Sequence, residues 1–236
     1  MGKITLKKIS KELLDIDNNI GLKDNFVGIG VQIDGNGVGY HSLIAIGVES
    51  DYYIFHFTSK DLELKMIPIE NQKFHIKYVD DLVDPEFSVS FLTHCKRIMK
   101  FPAPQYGHIV NNAYYDEEGK YVSDNEITNF ATCVGFCINV MKIFIMSEKY
   151  FEFEDWNADG MDDFAKEHPT YFDRFYNNFF AHNPNITPEQ FDKLYKRITP
   201  SEYTASAYLK NLPIRKSEIN EIIEDVKKAI KYIIQT

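Results

Sequence analysis

The sequence predicts an α+β fold in which an antiparallel β-meander comes first and helices follow it. Five short segments rich in β-branched and aromatic residues lie between residues 26 and 79. The segments that join them are too short for the crossover connections that parallel strands need. After residue 86 the pattern changes to helices, one of which carries a candidate nucleophile.

The predicted elements start with an amphipathic helix over residues 7–17. The five predicted strands cover 26–33, 38–48, 52–58, 62–67 and 73–79. The predicted helices are 86–99, about 127–147 after the capping sequence Asp124-Asn125-Glu126, one that begins at Thr187-Pro188, and 218–234. We therefore predict a domain over residues 1–150 and a helical, aromatic-rich extension over 151–236 that packs on it.

Residues 101–123 have the composition of a long loop, and long loops inside a compact domain are usually functional or disordered. This loop contains several polar or aromatic residues that are candidates for the edge of a site. We assign no role to them: Gln105, Tyr106, His108 and Asn111.

Charge and composition exclude several classes of partner. The 236 residues carry a formal charge of −9, so no excess positive charge is present to attract nucleic acid or an anionic membrane. The longest apolar stretch, 134–146, is too short to span a bilayer. The N-terminal segment has no apolar signal region, and three cysteines fit a reducing compartment, so we expect a cytoplasmic protein.

Cys133 is the candidate nucleophile, because it lies near the start of the apolar predicted helix. A helix N-terminus stabilises a thiolate through unpaired N–H groups and the helix dipole. Cys137 is one turn deeper among apolar residues and is expected to be a small core residue. The alternative for Cys133 is that it, too, is only a buried residue of the helix.

Two histidines on neighbouring strands are the candidate partners of Cys133. His41 lies in the second predicted strand and His56 in the third. A two-residue turn at Glu49-Ser50 would place both on one face of the sheet as diagonal neighbours, whereas a three-residue turn would separate them. The length of this turn therefore decides whether the two imidazoles meet.

Three segments of the sequence resemble the permuted members of the NlpC-type, papain-like superfamily, which include the lecithin:retinol acyltransferase-like and permuted amidase-like proteins. The segments are His41-Ser-Leu-Ile-Ala-Ile-Gly, Tyr53-Ile-Phe-His56 and Cys133-Val-Gly-Phe136. The resemblance covers about residues 24–147 and implies a permuted papain-like core. It implies that Cys133 is the nucleophile, His41 the base and His56 the group that orients the base. From their positions we expect Cys133 and His41 to form a hydrogen-bonding pair, about 3–4 Å apart.

The resulting hypothesis is a cysteine hydrolase of amidase or peptidase type that forms an acyl-enzyme. Its substrate would be a small molecule or peptide, with a peptide or peptidoglycan-like amide as the class, and the chemistry requires no cofactor or metal. The alternatives are a lipid acyltransferase or phospholipase-like activity, and an inactive binding or immunity protein with the same fold. The oligomeric state stays open.

Two features of the C-terminal region suggest other roles. Asp155, Asn157, Asp159 and Gly160 match the first half of an EF-hand-type calcium loop, but the twelfth position is Lys166 instead of glutamate. The alternative is an acidic turn that caps a helix. Aromatic residues also recur at helical spacing, either as a core stripe or as a lid for an acyl chain or aromatic ligand: Phe164, Tyr171, Phe172, Phe175, Tyr176, Phe179 and Phe180.

Overall fold

The chain forms an α+β structure, as the sequence predicts. The computed structural model describes residues 4–16, 21–67, 74–123, 126–145, 147–156 and 165–233. Its main sheet has six antiparallel strands in the order β1-β6-β2-β3-β4-β5. These strands are β1 (Leu14–Asp15), β2 (Phe26–Ile33), β3 (Gly39–Val48), β4 (Asp51–Phe57), β5 (Leu62–Met66) and β6 (Phe74–Tyr78).

Short strand pairs and helices make up the rest of the described chain. β7 (Gln105–Tyr106) pairs in parallel with β10 (Phe130–Ala131), and β8 (Tyr114–Tyr115) pairs with β9 (Tyr121–Val122). The α-helices are α1 (Leu6–Glu12), α2 (Ser88–Ile98), α3 (Cys133–Met141), α4 (Pro169–His182), α5 (Pro188–Leu194), α6 (Pro200–Ser206) and α7 (Lys216–Ile233). The long loop over 101–123 thus contains three of the short strands.

The first four strands of the predicted meander are correct, but the placement of the fifth is wrong. β6 pairs with β2 at the other side of the sheet, and it does not continue the meander beside β5. β5 carries two charges, Glu63 and Lys65, and its last two residues are exposed, which suits a strand at a sheet edge. Ile67 and Phe74, at the two ends of the β5–β6 connection, are buried in one apolar cluster. We infer that the burial of Ile67 and Phe74 in one cluster outweighs the usual pairing of β6 with β5, its neighbour in sequence.

The first predicted helix is also shorter than expected. α1 ends at Glu12, and the next residues pair with β6 as a short strand. The apolar residues of the predicted stripe divide between the two faces of the sheet, since Ile9 and Leu13 join one core cluster and Ile16 the other. A single helical face would have sent all of them to the same side.

Helices cover one face of the sheet. Val27, Ile29, Ile44, Ile46 and Phe55 pack with α3 in the larger core cluster, which we call the helix-side core. The opposite face carries Phe26, Leu43, Ala45, Ile54 and Ile76, which form a separate cluster. α6 packs on β2 and β3, and α7 packs on α6 and α1, so the C-terminal helices contribute to the helix-side core.

The aromatic helix α4 builds a cluster of its own. Phe175 and Phe179 are buried, and they pack with Phe130, Phe191 and Tyr195. The core role expected for the described part of this stripe is confirmed. Among the helices of the described chain, none is long and apolar enough to cross a bilayer.

Candidate functional site

The candidate nucleophile is the first residue of α3. The helix begins at Cys133 and not at about residue 127, because Thr132 is the N-cap: its hydroxyl oxygen accepts a hydrogen bond of 3.2 Å from the backbone N–H of Gly135. Cys133 is 9% exposed, whereas Cys137 and Cys95 are fully buried at 0%. Among the three cysteines, Cys133 is therefore the most exposed, and it lines a surface pocket.

The β3–β4 hairpin brings the two histidines together. Val48 pairs with Asp51, so the turn consists of Glu49 and Ser50, whose φ angles of 51° and 71° are both positive. Two positive φ values are those of a type I′ turn, which matches the twist of antiparallel strands. Of the two turn lengths that the sequence left open, the two-residue turn is the one that forms, and it places His41 and His56 on one face.

A row of polar contacts runs along this face from β3, across β4, to β5 at the sheet edge. His41 Nε2 lies 2.7 Å from His56 Nδ1. His56 Nε2 lies 3.2 Å from a carboxylate oxygen of Glu63, which also contacts the ammonium group of Lys65 at 2.5 Å. Three neighbouring strands thus hold two imidazoles and a carboxylate in a row.

The pKa shifts of the three groups indicate which of them are charged at pH 7. The pKa of the Glu63 carboxyl is lowered, mainly by the hydrogen bond from Lys65, so Glu63 is ionised. Burial lowers the pKa of His56, and burial together with the neighbouring His56 lowers the pKa of His41 to about 4. Both imidazoles are therefore neutral at pH 7.

One tautomer of each ring fits these contacts. The Glu63 carboxylate lies 3.2 Å from His56 Nε2 as a charged neighbour, although the pair does not have hydrogen-bond geometry. Because a carboxylate can only accept, it favours the tautomer of His56 with the proton at Nε2 and a lone pair at Nδ1. That lone pair then faces the N–H at Nε2 of His41. The lone pair of His41 is left at Nδ1, and this nitrogen is the one available as a base.

Cys133 and His41 line the same pocket, which has a volume of about 380 Å³. Strand alternation places His41 on the face of Leu43 and Ala45, while α3 covers the other face. Both line the pocket at the open end of the hairpin, where the β3–β4 ladder has stopped at the pair Ile44–Phe55, short of His41. The hydrogen bonds of these two described residues do not join them, and the predicted thiol–imidazole pair stays a prediction.

The resting thiol is neutral as well. Burial raises the pKa of Cys133, and this effect outweighs the backbone N–H groups of Ser42 and Val134, which lower it. With a neutral imidazole as partner, the structure holds a thiol and a base and not a preformed thiolate–imidazolium pair. Any attack by the sulfur then requires proton transfer to accompany it.

Glu63 is the site residue that the sequence analysis did not identify. Its position opposite His56 follows from the β4–β5 register, in which Phe57 pairs with Leu62. If the sequence had been interpreted as a short turn around Ser59-Lys60, strand pairing would have placed Glu63 opposite His56. Of the four loop candidates, Tyr106 lines the Cys133 pocket, whereas Asn111 lines a different one.

The segment that resembles a calcium loop falls mostly outside the described residues, which include Asp155 but neither Asn157 nor Asp159. The Asp155 carboxylate accepts hydrogen bonds from the guanidinium of Arg215, at 3.0 Å, and from the backbone N–H of Lys216. Asp155 therefore anchors the start of α7. Within the described ranges, no group of three or more His, Cys, Asp or Glu side chains is arranged to hold a metal ion.

No family model, curated protein or solved structure matches this chain. The function of the chain must therefore be inferred from the site itself.

Proposed function

We propose that this chain is a cysteine-dependent hydrolase of amidase or peptidase type, built on the permuted papain-like arrangement that its motifs resemble. One observation carries the proposal: the cysteine at the N-terminus of α3 lines a pocket together with His41, which heads the His41–His56–Glu63 row. A nucleophile, a base and a group that orients the base are the three parts that acyl transfer requires.

The proposed reaction proceeds through a thioester. The Nδ1 of His41 takes the proton of Cys133 as the sulfur attacks the carbonyl carbon of an amide. The backbone N–H of Cys133, at the start of α3, donates to the developing oxyanion. Collapse breaks the C–N bond, and the amine leaves with the proton from His41. Water then gives a proton to His41 and attacks the thioester, which releases the acid and restores the thiol.

Glu63 and His56 act through His41 in this scheme. When His41 gains the proton, it becomes a cation beside His56, and the ionised Glu63 raises the pKa of His41. The carboxylate therefore stabilises the imidazolium that forms during attack. It also maintains the tautomer that leaves Nδ1 of His41 unprotonated.

Acylation by p-nitrophenyl acetate tests the proposal without knowledge of the natural substrate. We expect release of p-nitrophenol and an acetyl group on Cys133, located by peptide mass spectrometry. Cys133→Ala should abolish the adduct on this peptide, and His41→Ala should slow its formation by at least ~100-fold, the usual contribution of a general base.

Cys137→Ala is the matched control, because it removes a thiol from the same helix but from a position with no exposure. It should acylate at the wild-type rate. Acetyl groups found on other residues with none on Cys133, or equal rates in His41→Ala and wild type, would contradict the hydrolase and favour the inactive binding protein.

A further inference from the structure

The pocket that Cys133 and His41 line also has aromatic walls. Two large aromatic side chains at the pocket are exposed, Tyr40 at 52% and Tyr106 at 39%, beside the buried ring of Phe57. Exposed aromatic rings beside a reactive group provide contact area for an apolar or aromatic part of a substrate. The aromatic walls therefore favour a substrate with such a group near the scissile bond.

Lys60 supplies the permanent charge among the described residues that line this pocket. It lies in the turn between β4 and β5, next to Ser59, and its side chain is exposed. Lys65, on the same edge strand as Glu63, is paired with that carboxylate. Lys60 by contrast forms none of the ion pairs found among the described residues.

The charge of the whole chain opposes this local charge. The formal charge of −9 repels anions at long range. A preference for an anion at Cys133 must therefore come from a positive group inside the pocket, and an unpaired ammonium group at its rim is such a group. It interacts with a bound carboxylate without first having to break an existing ion pair.

We infer that the pocket selects substrates that carry a carboxylate close to the scissile carbonyl, with Lys60 as the group that recognises it and Tyr40 and Tyr106 as the walls beside it. This inference rests on the proposed function, since it assigns the substrate class of the same site. The neutral resting state of Cys133 and His41 fits an anionic substrate, because no thiolate is present to repel it.

Two alkylating reagents that differ in one charge test the inference. Iodoacetate carries a carboxylate next to the carbon that is attacked, and iodoacetamide carries a neutral amide there. In both reactions the sulfur displaces iodide as the S–C bond forms, and the thiol proton passes to His41 or to the buffer. The measured quantity is the ratio of the two rate constants at Cys133, divided by the same ratio for glutathione, at about pH 8.5, near the ordinary cysteine pKa.

We expect this normalised ratio to exceed one in the wild-type protein and to fall about five-fold in Lys60→Gln, the effect of a charge pair worth ~1 kcal/mol in water. Lys60→Arg should retain the preference, and added salt should reduce it in both. Lys228→Gln is the matched control, because it removes the same charge from an exposed position on α7 outside the pocket. It should keep the wild-type ratio.

The outcomes separate the inference from the function on which it rests. If both reagents modify Cys133 and Lys60→Gln has the wild-type ratio, the carboxylate preference is wrong while the nucleophile stands. If neither reagent modifies Cys133 in the folded protein, the result contradicts both the proposed hydrolase function and the carboxylate preference.

Discussion

The protonation states of Cys133 and His41 determine how this pocket could work. A helix N-terminus lowers the pKa of a thiol, but here burial acts in the opposite direction and is the larger effect. Burial also keeps His41 neutral, with a pKa of about 4. In the proposed enzyme, Cys133 and His41 therefore both start uncharged. The proton passes from the thiol to His41 only after the substrate has bound.

The pH dependence of Cys133 alkylation follows from these shifts. The rate with iodoacetamide should rise with a single midpoint above about 8.5, the ordinary cysteine pKa, because only the raised thiol titrates in that range. Glutathione, measured in parallel, should give a midpoint at a lower pH than Cys133. A plateau of high reactivity around neutral pH would indicate a thiolate–imidazolium pair and would contradict the neutral resting state.

Glu63→Gln tests the positioning role of the carboxylate. Because Glu63 raises the pKa of both imidazoles, its loss should lower the pKa of His41 further, as measured by NMR titration. A lower basicity should slow acylation of Cys133, by up to about ten-fold for each pKa unit, because the proton is only partly transferred in the transition state. Glu63→Asp keeps the charge and should restore part of the rate. An unchanged His41 titration in Glu63→Gln would show that the row does not communicate with the base.

At the scale of elements, the start of α3 is the feature that exposes the nucleophile. A helix that began near residue 127 would have placed Cys133 in its second turn, where its backbone N–H donates within the helix. Because α3 begins at Cys133, the backbone N–H of Cys133 has no acceptor within the helix, whereas the N–H of Gly135 donates to the Thr132 hydroxyl. The local sequence Thr-Cys-Val-Gly is thus as important to the site as the cysteine itself.

Thr132→Ala should destabilise the protein by about 1 kcal/mol, the usual cost of losing an N-cap side chain. The free energy of unfolding in urea measures this loss. Thr132→Ser keeps a hydroxyl that can accept the same hydrogen bond and should remain close to wild type. Equal losses in the two variants would mean that the methyl group, and not the cap, is responsible.

The β3–β4 hairpin is the second element that the site requires. Each residue added to its turn would move every side chain of β4 to the opposite face and separate His56 from His41. The two positive φ angles at Glu49 and Ser50 are costly for residues other than glycine and asparagine. The turn nevertheless persists because both strands have a buried face on either side of the sheet, so a shift in register would expose apolar residues.

For the whole molecule, the helix-side core joins residues from both ends of the chain. Ile9 of α1, Phe136 of α3 and Ile230 of α7 all belong to it. The predicted boundary near residue 150 stays a prediction, and the continuity of this core bears on how the two parts unfold. Elements that share one core usually unfold in a single cooperative transition.

Trp156 provides a direct test, because it is the single tryptophan and lies on the C-terminal side of the predicted boundary. It is 4% exposed and packs against Phe151 in the helix-side core. Its fluorescence and the far-UV circular dichroism should therefore change at the same urea concentration. A tryptophan transition at a clearly lower concentration would show that residues 151–236 unfold as a separate unit.

Local signals account for what could be predicted from the sequence. The first four strands and the helix that begins at Pro188 follow from residues within a few positions of one another. Strand alternation also reduces the question of whether His41 and His56 share a face to one open point, the length of the turn at Glu49-Ser50. These parts of the fold, and two of the three members of the polar row, were therefore within reach of the sequence.

Contacts between distant segments decided the rest. β6 lies beside β2, and its Phe74 shares one buried cluster with Ile67, which follows β5 at the sheet edge; no local pattern reveals this contact. The pocket that joins Cys133 to His41 exists because a helix cap far along the chain meets the open end of a hairpin. The burial that keeps both groups neutral is a property of the surrounding packing. The sequence by itself thus determined which residues could react, and only the tertiary structure decided their surroundings and charge, because desolvation depends on every segment that covers them.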